Sequence, residues 1–338
     1  MSAPGIIVAA FVLSLVLTGG LRRYALKRRL LDIPNQRSSH SVPVPRGGGL
    51  AVVLAFVAGA LALAWQQGVP LSSLAALLLP CLLVAAVGWL DDHWSLSAAG
   101  RLPVHLLAAG LALYLLPGML GPLLIFGQVI PAALSYSVLL LGLVWVVNLN
   151  NFMDGIDGLA SLEAISVAAG AAAILWLNGG DGFSLILLLL LAVAVAGFLA
   201  WNWPPARIFM GDAGSGFLGM AIGCFALATS VRGGITLWSW LILYGVFVVD
   251  ATWTLLRRVV RGERFYEAHR SHAYQILARR WRSHLKVTLL VLSINICWLF
   301  PLAVVSSRCP GWAVACTVLA AAPLVLGVIR LGAGTTGQ

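Results

Sequence analysis

Four polar side chains recur every third residue in NLNNFMDGIDGLA: Asn148, Asn151, Asp154 and Asp157. On an α-helix such a row drifts by roughly 60° per step, and on a 3₁₀ turn it is eclipsed, so the four groups share a broad face in either geometry. Two carboxylates and two amides on one face suit a hard cation or acid/base chemistry. Gly155 and Gly158 permit a bend or the close approach of a ligand. The competing reading is a turn between helices, which Asn, Asp and Gly favour in any protein. The row follows the apolar run LLLGLVWVV. Polar groups are expensive at membrane depth, and that favours a site.

Three further carboxylate positions stand out. In VGWLDDHWSLSAAGRL, Asp91 and Asp92 are adjacent. On a helix they point about 100° apart, so they need not share a role. Paired carboxylates repel, which suits a base or a magnesium ligand; the rival reading is an interfacial helix end with Trp89 and Trp94 as belt aromatics. In WNWPPARIFMGDAGSGF, Asp212 precedes Gly214 and Ser215. A glycine-rich turn opening a helix offers free N–H groups to phosphate, unless Asp212 merely caps that helix. No GK[ST] follows, so it is not a Walker A loop. Asp250 is a lone carboxylate in LILYGVFVVDATWTLL, a functional candidate. An ion pair with Arg257 or Arg258 is its rival.

Two basic loops accompany the acids. DIPNQRSSHSVPVPRGGGL carries Asp32, Arg37, His40 and Arg46, stiffened by three prolines, and its glycines at 47–49 let the chain pass close to a neighbour. In RRVVRGERFYEAHRSHAYQ, His269 and His272 flank Arg270. Partners at zinc-finger spacing are missing, so a phosphate-binding His/Arg group is favoured over a metal pair. A basic amphipathic segment lying on the membrane is the alternative.

These motifs must be positioned by membrane helices. The chain is 61% hydrophobic with mean hydropathy +0.98, far above the roughly 45–50% apolar content of soluble domains. Apolar runs predict an all-α polytopic membrane protein, one domain over 1–338. About eleven spans are expected, at 4–21, 47–66, 72–90, 102–117, 132–149, 158–177, 183–201, 214–231, 236–255, 287–306 and 312–330. The first run lacks a positive n-region and reads as a retained helix. Of the 21 basic residues, all but Arg232 and Arg308 fall on one set of loops and the C-terminal tail. That set comprises 22–46, 91–101, 150–157, 202–213 and 256–286. Positive residues mark the cytoplasmic side, so a periplasmic N-terminus and a cytoplasmic C-terminus are expected. Nearly every acid lies on the same side, which orientation does not explain. The net charge of +10 is a topology signal plus attraction to anionic lipid, not a nucleic-acid footprint. Five cysteines without metal-type spacing predict no structural disulfide.

Taken together, five stretches in order resemble the polyprenyl-phosphate N-acetylhexosamine-1-phosphate transferases, the family of WecA, MraY and TagO. They are DIPNQRSSHSVPVPRGGG, DDHWSLSAAGRL, NLNNFMDGIDGLA, PPARIFMGDAGSGF and HRSH. The resemblance covers roughly 30–290 and looks closest to the WbpL-like branch that initiates O-antigen assembly. Departures are Arg270 and Ser271 inside a motif that usually reads His-x-His-His, Arg101 and His105 in place of Lys and Gln, and Phe247 in place of Pro. The resemblance implies transfer of sugar-1-phosphate from a UDP-sugar to undecaprenyl phosphate, with release of UMP. UDP-N-acetylfucosamine, UDP-N-acetylquinovosamine and UDP-N-acetylglucosamine stay open. It implies magnesium, with manganese as a substitute, held by Asp212 and Asn151. Asp91 or Asp92 would position or deprotonate the lipid phosphate, and Asp154 and Asp157 would hold the nucleotide or a metal-bound water. Arg37, Arg46, His269, Arg270 and His272 would hold pyrophosphate and sugar. Asn148, Arg101, Asn202, Arg207, Gly214, Ser215 and Asp250 complete the expected substrate contacts. The lipid tail would lie in a groove near the ninth span. A homodimer is left open. The rival functions are a lipid-linked sugar transporter or flippase, and a membrane scaffold.

Overall fold

The computed structural model describes residues 2–34, 42–116, 123–125, 128–263 and 269–335, with the backbone alone for 123–125 and 128. Eight long helices come first: α1 Ala3–Arg28, α2 Leu50–Gln67, α3 Leu71–Trp94, α4 Ala98–Leu115, α5 Ala132–Phe152, α6 Leu159–Leu177, α7 Gly182–Asn202 and α8 Asp212–Val231. Then follow α9 Leu237–Leu243, α10 Gly245–Val260, α11 Ala273–Trp281, α12 His284–Ile294, α13 Phe300–Arg308 and α14 Ala313–Leu331. A π-turn at Asn295–Leu299 joins α12 to α13, so the two make one span. Two short antiparallel ladders complete the described structure, β1 Leu31–Asp32 with β2 Val44–Pro45, and β3 Leu123–Ile125 with β4 Gln128–Ile130. Large apolar side chains point outward along the bundle, Trp65 and Trp176 among them, as a lipid-facing surface requires.

Among the described residues, ten helical segments are long and apolar enough to cross a membrane, and the eleventh expected span is broken. The run expected at 236–255 is two helices, α9 and α10, set 80° apart. The turn occurs at Tyr244, whose ψ of 15° departs from the helical value of about −42°. The Tyr244 hydroxyl reaches into the bundle and donates to the side-chain oxygen Oδ1 of Asn150, which fixes the corner. Hydropathy reports the length of an apolar run and not its direction, so the bend left no trace in composition.

Helix α8 is the axis of the site. It packs against α3 and α5, and most of its residues are buried. Small residues make this approach possible. A side chain at Gly49 would overlap the Gly214 Cα and the Met210 side chain, and one at Gly88 would overlap the Asp212 carbonyl. The glycines after Arg46 therefore have a packing reason. The segment they begin is also hydrogen-bonded to the stretch that enters α8: Phe209 N–H donates to Pro45 O (2.8 Å), Gly48 N–H to Phe209 O (3.0 Å) and Gly49 N–H to Met210 O (2.8 Å). Gly49→Val is expected to lower stability by about 1–3 kcal/mol, the usual cost of overpacking. Thermal unfolding in detergent would show it, and an unchanged transition would contradict this packing.

Buried polar groups are paired inside the bundle. Glu163, fully buried on α6, accepts from Asn295 Nδ2 at 2.6 Å, and the same amide donates to Ser166 Oγ at 2.8 Å. Asn150 is also fully buried and donates to the Ser215 carbonyl at 2.6 Å. All five cysteines are free.

Candidate active site

The C-terminal ends of α3 and α5 and the N-terminal end of α8 meet at one end of the bundle. There Asp91, Asp92, Asn151, Asp154 and Asp212 converge. Arg101, one turn into α4, bridges two of the acids: its Nη1 lies 2.6 Å from Asp91 Oδ2 and 2.6 Å from Asp212 Oδ2. The other Asp212 oxygen accepts from Asn151 Nδ2 at 2.6 Å, and that amide also lies 3.2 Å from Ser215 Oγ. Asp91 further accepts the Leu96 backbone N–H, which closes the turn between α3 and α4.

The adjacent aspartates do different things. Asp92, 5% exposed, accepts from Asp212 N–H (3.0 Å) and Ala213 N–H (3.3 Å). It is thus the side-chain cap of α8, supplied from a helix 120 residues earlier in the chain. Asp212 does not cap its own helix; its side chain is free to face Arg101 and Asn151. The first two N–H groups of α8, those of Asp212 and Ala213, are already taken by a carboxylate, which corrects the expectation that they are open to phosphate. A Cβ at Gly211 would lie 2.6 Å from Asp92 Oδ2, so this close seat needs glycine.

The polar row divides. Asn148 and Asn151 line a small cavity together with Arg101, His105 and Asp212. Asn148 Nδ2 donates back to Val144 O at 2.7 Å. Asp154 sits in the loop after α5, and burial first, then the charges of Asp212, Asp92 and Asp157, push its carboxyl well above the usual range. Asp157 faces away from this group. It accepts from Ala206 N–H at 3.1 Å and pairs with His284 Nδ1 at 3.2 Å, joining the α5–α6 loop to the loop before α8 and to α12.

The remaining expected residues spread over a wider area. Asn202 is 3% exposed and engaged by Gly158 N–H (3.0 Å) and Ile208 O (3.0 Å), so it braces these loops. Gly214 is the contact for Gly49. Arg207 lies over Trp201 on the α1 side, 6.0 Å from the ring centre, and its carbonyl accepts from Arg22. Arg46 and Asp92 line the same cavity, and the guanidinium's charge attracts that carboxylate. Arg37 and His40 lie outside the described residues.

Asp250 holds the histidine segment. One of its oxygens accepts from Ala273 N–H (2.9 Å) and lies 3.3 Å from His272 Nδ1, and the other accepts from Tyr274 N–H (3.0 Å). It therefore caps α11 from α10. The alternative partners are occupied elsewhere: Arg258 pairs with Glu263 at 2.7 Å, and Arg257 donates to Ala333 O at 3.1 Å. His269 and His272 do not share a helix face. His272 is the N-cap of α11, and His269 precedes it, with ring centres 4.9 Å apart. His269 bonds Ser271 Oγ at 3.0 Å, while the exposed Arg270 accepts Arg279 at its carbonyl. Tyr274 donates to Phe152 O at 2.9 Å, tying this segment to the end of α5.

Burial first, then the charges of His272 and Arg258, lowers the His269 pKa to about 3. The folded protein then binds fewer protons here than the unfolded chain between about pH 3 and the ordinary histidine value near 6.5. Stability from this group is present above pH 6.5 and is lost as the pH falls. His269→Gln is expected to flatten the loss of melting temperature between pH 7.5 and pH 5. An equal loss in wild type and variant would contradict it.

Asn150 and Tyr244 are not marked by their sequence surroundings. Asn150 falls one position off the three-residue row, so periodicity passed over it. Tyr244 sits in an apolar run, where only a buried hydroxyl's need for a partner hints at a role.

Comparison with known proteins now defines the class. Residues 74–230 match the family described as Glycosyl transferase family 4. The probable undecaprenyl-phosphate N-acetylglucosaminyl 1-phosphate transferase of Bacillus subtilis (strain 168) is 30% identical over 302 residues, covering 86% of this chain and 82% of that protein. The decaprenyl-phosphate N-acetylglucosaminephosphotransferase of Mycolicibacterium smegmatis is 30% identical over 84% of this chain and 77% of its own length. A phospho-N-acetylmuramoyl-pentapeptide-transferase of Synechococcus sp. (strain CC9605) is 34% identical over 68% of this chain and 69% of its own. The site thus belongs to a polytopic membrane glycosyltransferase. The chain is a member of the polyprenyl-phosphate N-acetylhexosamine-1-phosphate transferase family.

Proposed function

We propose that the protein transfers an N-acetylhexosamine-1-phosphate from a UDP-sugar to undecaprenyl phosphate, releases UMP, and so begins O-antigen assembly. The observation that carries this reading is the gathering of Asp91, Asp92, Asn151, Asp154 and Asp212 at one end of the bundle, with the Arg101 guanidinium bridging Asp91 and Asp212. The charge asymmetry of the loops supports a cytoplasmic location for that end, at the inner membrane. There a soluble nucleotide sugar can meet a lipid phosphate that stays in the bilayer.

The reaction brings two anions together. A lipid phosphate oxygen attacks the β-phosphorus of the UDP-sugar, and the bond to the α-phosphate bridging oxygen breaks to release UMP. Among the described residues, no three His, Cys, Asp or Glu side chains form a closed metal cage. Magnesium does not require one, since one or two carboxylates plus waters and substrate phosphates suffice. The donor set fits: Asp212 is a carboxylate already facing a cation, and burial, then the charges of Asp212, Asp92 and Asp157, push the nearby Asp154 carboxyl up, as a shared negative site does. Asp212 and Asn151 would hold the ion, with Asp154 beside them. When bound, magnesium would screen the phosphates and polarise the one under attack. Arg101 holds Asp91 and Asp212 in place and can follow charge toward the phosphates. Asp91 and Asp92 border the attacking phosphate. The lipid tail would lie near the corner at Tyr244, where the ninth expected span bends by 80°.

Which sugar is used would be read by incubating membranes with radiolabelled UDP-N-acetylfucosamine, UDP-N-acetylquinovosamine and UDP-N-acetylglucosamine in turn. One of the three is expected to label the organic phase. Label in none, with undecaprenyl phosphate added, would sink the assignment.

A further inference from the structure

Helix α14 runs into the sequence LGAG, and these residues encode its stop. Gly332 takes a φ of 74°, the left-handed value that closes a helix. Its N–H donates to Ile329 O (3.0 Å), and the Ala333 N–H donates to Val328 O (3.0 Å). This is the Schellman pairing, and its customary apolar contact is present, since the fully buried Ala333 clusters with Val328. Ala273 of α11 belongs to the same cluster, and Trp253 of α10 packs against it. The turn therefore carries the chain off α14 and in among α10, α11 and the histidine segment.

Two hydrogen bonds fasten it there. Arg257 Nη1 of α10 donates to Ala333 O (3.1 Å), and Gly334 N–H donates to Ser271 O (2.9 Å). The seat of Gly334 admits no side chain: its φ is 78°, and a Cβ would lie 2.9 Å from Thr254 O and 3.0 Å from Arg257 Cβ. Ser271 is in turn the partner of His269, whose Nδ1 lies 3.0 Å from the Ser271 hydroxyl. The residues that follow reach the carboxylate cluster. The Tyr274 hydroxyl donates to Phe152 O and fills the space beside Gly155, and Tyr274 interacts electrostatically with Asp154. The apolar cluster would by itself dock α14. The bond to the Ser271 carbonyl adds a constraint on the backbone in the middle of HRSH.

We propose that Gly332–Gly334 is a strap that positions the His269–His272 segment and, through Tyr274, the Asp154 loop for the transfer step. Gly334 and Arg257 are positioning residues that act through Ser271. This rests on the transfer reading only in naming the reaction affected.

Hydrogen exchange and turnover, measured on the purified full chain in detergent, test the strap together. In Gly334→Val, the amides of 269–276 should exchange about five- to tenfold faster, the scale of one lost hydrogen bond, while those of α3 and α8 keep their rates. UMP release should fall by about 10–100-fold, as for a misplaced reacting group. Arg257→Ala should act in the same direction, and Arg257→Lys, which keeps a donor, should recover part of both losses. Unchanged exchange at 269–276 in both Gly334→Val and Arg257→Ala overturns the proposal. Faster exchange spread evenly over the chain also overturns it, because that is general destabilisation. Faster exchange confined to 269–276 with full turnover removes the strap from the reaction and overturns it too. Confined exchange in a protein whose wild type releases no UMP would keep the strap as the anchor of the segment and sink the transfer reading.

Discussion

Asp212→Asn should lower turnover by about 10²–10³-fold or more, the scale of losing one electrostatic contact to the reacting group, with the melting temperature nearly unchanged. Both Asp212 oxygens now face donors, Arg101 Nη1 and Asn151 Nδ2, each at 2.6 Å. An amide can accept from only one of them and must point its own NH₂ at the other. The substitution also removes the charge that a divalent ion would bind. The fold should survive, because the cap of α8 is Asp92 and not Asp212. Steady-state kinetics and thermal unfolding on the same preparation would test both halves. A fully active Asp212→Asn enzyme would remove this residue from the site.

Asp92→Asn should fail differently, losing turnover and stability together. Its two oxygens accept the first two N–H groups of α8 from a buried position. An asparagine keeps one acceptor and turns its NH₂ toward the other backbone N–H. Losing such a cap costs about 1 kcal/mol, a drop of a few degrees in melting temperature for a chain of this size. The start of α8 also carries Asp212, so a shift there disturbs the bonds to Arg101 and Asn151. Turnover is expected to fall by about 100-fold, as for a misplaced reacting group. A variant with wild-type melting behaviour and only a kinetic defect would mean that Asp92 acts on substrate alone.

The contrast between these two aspartates shows what the sequence could and could not convey. That Asp91 and Asp92 point apart followed from helix geometry, and they do take separate partners, Arg101 and the α8 backbone. Which partners they take depends on contacts between residues 120 apart, and no local pattern encodes that. The pairing of the Pro45–Gly49 segment with Phe209 and Met210 was hidden for the same reason. The glycines hinted at a close approach but not at its object, Gly214. The spans were legible because about 20 apolar residues are needed to cross a bilayer, and composition alone satisfies that test. The break at Tyr244 was not, because LWSWLILYGVFVV stays apolar through the corner. The row Asn148, Asn151, Asp154 and Asp157 looked uniform in sequence, yet the helix ends at Phe152, and Asp157 beyond it turns to Ala206 and His284.

In the proposed reaction, the carboxylate cluster directs transfer of a sugar phosphate onto a lipid phosphate. The most direct measurement is UMP release by the purified protein given undecaprenyl phosphate and a panel of UDP-N-acetyl sugars, with and without magnesium. UMP that appears only when lipid phosphate, magnesium and one preferred sugar are all present is the expected result. No UMP from any sugar, from folded protein supplied with lipid and magnesium, would contradict it.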